Sequence, residues 1–115
     1  MTTTPTYNRE GITVDTVSAV AFPGTAIERS CGITIVRALS AGDNIGASLV
    51  LPPDADEGDL VEVYNVYTGG NPTQNGISVY PDSGETVNFD TNPIGIPAKG
   101  MKRFRKIDAT SWFGS

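Results

Sequence analysis

The chain has 115 residues, 38% hydrophobic and 18% charged, with a net charge of −5. That is the size of one domain, long enough to bury a core of its own. Histidine is absent and cysteine occurs once, at Cys31, which excludes an internal disulfide, a Cys/His zinc site, a Ser-His-Asp triad and a Cys-His dyad.

The charge is unevenly spread. Up to Ala98 the chain holds three basic and twelve acidic residues; Lys99, Lys102, Arg103, Arg105 and Lys106 then follow with only Asp108 against them. The acidic balance argues against nucleic acid as a partner, because phosphate binding needs clustered Lys and Arg. No apolar run approaches the ~20 residues of a membrane helix, so no membrane partner is expected. The opening Met-Thr-Thr-Thr-Pro-Thr is unlike a signal peptide. With one unpaired Cys, it points to a protein that folds in a cytoplasm.

Residues 1–10 carry four Thr and little to bury, and read as an extended arm ahead of a single domain over residues 11–115. Thr2, Thr4, Tyr7 and Arg9 are its candidate contact residues, with Tyr7 and Arg9 as anchors.

Beyond the arm the periodicity is that of strands. Ile12–Val20 alternates and ends at Phe22-Pro23-Gly24. Gly32–Leu39 sets Ile33, Ile35 and Arg37 on one face, Thr34, Val36 and Ala38 on the other. Ala47–Leu51 is short and apolar, closed by Pro52-Pro53. Leu60–Tyr67 has Val61 and Val63 on one face and Leu60, Tyr64 and Val66 on the other, which predicts a strand covered twice. Ile77–Tyr80, Thr86–Phe89 and Ile94–Ala98 follow as short strands. Met101–Ile107 has charge on both faces, which predicts an edge or interface strand. Trp112 and Phe113 either plug the bottom of the fold or anchor an interface. No window carries a helical stripe and no internal repeat is visible. Eight or nine short strands predict an all-β fold, an antiparallel β-sandwich or jelly-roll-like barrel.

Few groups offer chemistry. Asp54, Asp56, Glu57 and Asp59 form an acidic turn that lacks the spacing of an EF-hand calcium loop, and a solvated turn explains them. Asp82, Glu85 and Asp90 sit on turns or strand ends, with no aromatic groove to make them a glycosidase pair. Cys31 fits a small buried hydrophobe. No catalytic, metal or cofactor-binding residue is assigned, and no enzymatic role is expected.

The order of segments from Ser48 to Trp112 is distinctive. It runs S-L-V-L-P-P, G-D-L-V-E-V-Y-N, I-S-V-Y-P-D-S-G-E-T-V-N, I-P-A-K-G and F-R-K-I-D-A-T-S-W. This resembles a small β-structured module of tailed-phage virion proteins, with Val87 in place of the usual Ile. The matched positions include Leu51, Pro52, Gly58, Asp59, Val61, Val63, Asn65, Val79, Tyr80, Pro81, Gly84, Asn88, Ala98, Gly100, Phe104, Thr110 and Trp112. They carry over as fold residues.

The resemblance implies a structural protein of the virion. It is either a capsid decoration (cement) protein or a receptor- or glycan-binding module of a head or tail fibre. Size and layout favour decoration: one domain, a polar arm and no heptads or repeats of a shaft. The implied partner is the major capsid protein, the implied place the capsid exterior, and the implied assembly a homo-oligomer, with a trimer favoured. The candidate interface adds Tyr64, Val66, Tyr67, Lys102, Arg103, Arg105, Lys106 and Trp112 to the arm residues.

Overall fold

A computed structural model describes residues 6–8, 12–21, 23–28, 32–40, 47–66 and 76–115. Every regular element among them is a strand: β1 (Thr6–Asn8), β2 (Ile12–Ala21), β3 (Thr25–Ala26), β4 (Ile33–Ser40), β5 (Ala47–Val50), β6 (Leu60–Asn65), β7 (Ile77–Tyr80), β8 (Thr86–Val87), β9 (Ile94–Ile96), β10 (Met101–Lys106) and β11 (Ser111–Gly114). The fold is all-β.

Nine of these strands form one path that changes partners at β2, with β1 beside β2 and β3 beside β5 off that path. Ile12–Ala19 lie parallel to β4 in a front sheet, whereas Val20 and Ala21 pair with β5 in a back sheet. In the front sheet β2, β4 and β6 are parallel neighbours, with Ile12 beside Ile33 and Ile33 beside Leu60. In the back sheet β3, β5 and β7 are also parallel. The chain therefore coils three times, β2 to β3, β4 to β5 and β6 to β7, and like positions stack as in a short β-solenoid. Antiparallel β10 and β9 then close the far sides of β6 and β7.

This corrects the expected antiparallel sandwich or jelly roll. Short connections between strands suggest hairpins, but here they carry the chain from one sheet to the other, so strands of one sheet arrive in parallel. Where eight or nine strands are expected, the described residues form eleven. The additional ones, β1, β3 and β11, are too short or too terminal to show a period. Unequal coils hide the repeat: Ile12 and Ile33 stand 21 positions apart, Ile33 and Leu60 stand 27 apart, yet both pairs are in register.

Alternation decides what is buried. Thr34, Val36 and Ala38 of β4 and Val61, Val63 and Asn65 of β6 point inward from the front sheet. Ala47 and Leu49, Ile77 and Val79, and Ile96 meet them from the back. Asn65 ties the layers together, its Nδ2 donating to the Ile96 carbonyl at 3.1 Å. A buried amide without such a partner would cost more than the bond contributes.

The charged strand β10 is not an edge. It lies between β6 and β11. Its inward side carries Phe104, fully buried, and Lys106, 3% exposed. Lys106 is tolerated because its ammonium is paired: Nζ lies 3.0 Å from Glu85 Oε2. Trp112 Nε1 donates to Glu85 Oε1 at 3.0 Å, and the same ammonium stands 5.6 Å from the indole centroid. One carboxylate thus satisfies a buried cation and a buried indole, which the low dielectric of a core demands.

Within residues 1–10, β1 pairs antiparallel to β2, with Tyr7 opposite Thr13. That part of the arm lies on the chain's own sheet. Thr2, Thr4 and Arg9 lie outside the described residues, as do Tyr67 and Cys31.

Candidate functional site

The outward side of the front sheet is the candidate site. Register places Ile12, Ile33, Leu60, Arg105 and Phe113 in one row across five strands. Val14, Ile35, Glu62 and Arg103 form the next row, and Thr16, Arg37, Tyr64 and Met101 the third. The apolar side chains in these rows are half-buried except Phe113, which is exposed. β-branched and aliphatic residues therefore cover both sides of β2, β4 and β6, as parallel strands favour, and the outer cover is left facing solvent.

Charge is set into this apolar surface in ordered contacts. Arg103 Nε donates to Glu62 Oε2 at 3.0 Å, and the Tyr64 hydroxyl donates to Glu62 Oε1 at 2.9 Å. That bond, helped by partial burial and the Glu62 charge, holds the Tyr64 phenol above its usual range. Arg105 Nη1 donates to the Gly58 carbonyl at 2.9 Å. An open cleft of about 420 Å³ lies among Leu60, Glu62, Arg103, Arg105 and Phe113. Aromatic and Arg side chains over an aliphatic floor make up the usual centre of a protein–protein contact. The Glu62–Arg103 pair is solvated at its arginine, 63% exposed, so it contributes orientation more than affinity.

The structure gathers four residues expected at an interface onto this face: Tyr64, Val66, Arg103 and Arg105. Lys102 shares the inward side of β10 with Phe104 and Lys106 and is half-buried. Lys106 and Trp112 are corrections. Both are candidate interface residues by sequence and both are buried, where Glu85 engages them, so that for Trp112 the alternative of a plug within the fold holds. No local pattern reveals that pairing, because Glu85 is 21 positions from Lys106 and 27 from Trp112. Ile12, Val14, Ile33, Ile35, Leu60 and Glu62 belong to the face but were not singled out. Their signal, apolar residues on both sides of successive strands, is legible only with the register known.

The acidic turn is a capped turn. Asp59 is buried, its Oδ2 accepts the Asp56 N–H at 3.0 Å, and Gly58 takes φ +91° to let the chain reverse. Among the described residues no three potential ligands gather to hold a metal ion.

No protein-family model, curated protein or solved structure matches the chain significantly.

Proposed function

We propose that this protein is a non-enzymatic structural component of a phage virion, a decoration protein that binds the capsid exterior and stabilises contacts between major capsid subunits. The outward side of the front sheet carries the reading. It is a broad, half-exposed apolar surface set with Glu62, Arg103, Arg105 and Tyr64, and such surfaces mark binding partners. Contacts repeated around a small homo-oligomer, a trimer in this reading, reinforce one another by effective concentration. Binding to the closed shell alone stabilises it by mass action.

The test is the number of copies of this chain per purified virion and their position on the particle by imaging. Copies on the head in a fixed ratio to the major capsid protein support the reading; none on any particle overturns it. Deleting residues 2–10 tests the arm, which is wrong as a contact if retention on the particle is unchanged. The exposed Phe89–Phe113 ring pair favours a second reading, a glycan-binding fibre module, because such rings stack on sugars. Hits on a glycan array that disappear with Phe113→Ala support it.

A further inference from the structure

After β8 the chain holds two successive non-glycine residues in the left-handed region, Asn88 at φ 53° and Phe89 at φ 62°. Asn88 suits that backbone. Its side chain clasps Gly114 in both directions, Nδ2 donating to the carbonyl at 3.0 Å and Oδ1 accepting the N–H at 3.1 Å. Phe89 gains little in exchange. The residue is 73% exposed, and its ring forms a T-shaped pair with that of Phe113, centroids 5.2 Å apart at 88°. A bulky residue is strained there, and a large ring in water adds a second penalty. Both are offset if the ring is buried on association.

Phe113 joins this ring pair to the cleft that holds Arg103 and Arg105. The complementary surface is on the same chain. A second cleft, about 450 Å³, is lined by Ala26, Ile27, Glu28, Pro53 and Asp54. Its apolar members can take an aromatic ring, and its exposed carboxylates, Glu28 and Asp54, match the two guanidinium groups in sign. The clefts share no residue.

We propose that the chain self-associates head to tail, the Phe89–Phe113 knob and Arg103 and Arg105 of one copy seating in the Ala26–Pro53 cleft of the next, against its Glu28 and Asp54. The two patches differ, so the contact is heterologous and adds copies into a closed ring or an open filament. This goes beyond the virion reading, since it needs no shell.

Sedimentation equilibrium on the full-length chain tests it, with folding of each variant checked by circular dichroism. The wild type is expected at a multiple of its 12.1 kDa mass. Phe89→Ala, Arg105→Glu and Asp54→Lys, all at exposed positions, should each weaken association tenfold or more. Mixing Phe89→Ala with Asp54→Lys should give a dimer and nothing larger, because only one intact pair of patches remains and the other sets Arg105 against Lys at position 54. A wild type that is monomeric at about 0.1 mM, variants with unchanged mass, or a mixture that stays monomeric would each overturn the proposal. Failure here leaves shell binding standing, and absence from virions leaves self-association standing.

Discussion

Replacing Glu85 by Ala removes the one acceptor shared by Lys106 and Trp112. The Lys106 side chain is 3% exposed and that of Glu85 10%, so water cannot take over the lost role. Breaking a buried pair from one side costs about 3–5 kcal/mol. The orphaned indole N–H belongs to the same network and does not add its full ~1–3 kcal/mol. At roughly 4 °C per kcal/mol for a chain of this length, the midpoint should fall by about 12–20 °C.

The informative experiment is a double-mutant cycle by chemical denaturation. Lys106→Met keeps the length and removes the charge, and Glu85→Gln keeps an oxygen for Trp112. Each single change should be strongly destabilising, whereas the double should return to within ~1 kcal/mol of wild type, as neutral replacements of buried pairs often do. A Glu85→Ala loss below ~1 kcal/mol, or a double variant no better than the singles, would refute the claim that pairing is what lets a lysine enter this core.

Other outcomes follow from single contacts. Gly114→Ala would place a Cβ 2.6 Å from a ring carbon of buried Phe104, so about 1–3 kcal/mol should be lost in a urea titration. Phe89→Gly relieves left-handed strain and should raise stability by up to about 1 kcal/mol while weakening self-association, a combination read by pairing denaturation with sedimentation. Thr13→Val removes a buried hydroxyl with no partner among the described residues, and should be neutral or stabilising by about 1 kcal/mol in the same titration. Asp108 accepts the Thr110 N–H at 2.9 Å, which holds its carboxyl below the ordinary 3.8. Its contribution is present above that value and is lost as pH falls through the lowered one. The stability gap between wild type and Asp108→Asn should therefore close on acidification, measured by denaturation across that range.

Much of the secondary structure was legible in one dimension. The bounds of β7 agree residue for residue, those of β2, β5, β6 and β10 differ by one or two positions at one end, and β4 is shifted by one position at both, because β-branched alternation and Pro/Gly punctuation are local signals. The inward sets Thr34, Val36, Ala38 and Val61, Val63 were readable for the same reason. β8 stops two residues early, where Asn88 and Phe89 turn left-handed and the Asn88 side chain meets Gly114, a partner 26 residues away.

Of the candidate site, the two-sided apolar character of Leu60–Tyr67 was legible and predicts a strand covered twice, whereas among the described residues its outer side, with Tyr64, Val66, Arg103 and Arg105, faces solvent. The charges on β10 gave the opposite lesson. A strand with lysine on its inward side looks unfit for the middle of a sheet until the distant carboxylate that neutralises it is in place.

Composition and period by themselves determined that this chain is all-β, where most strands lie and which side of each is apolar, since those depend on neighbours two positions apart. Only the tertiary structure decided that the strands stack in parallel coils, that Lys106 and Trp112 go inside, and that an arginine-studded apolar sheet is left facing water. Those choices rest on contacts between residues tens of positions apart, and a linear pattern carries no information about which distant partners will meet.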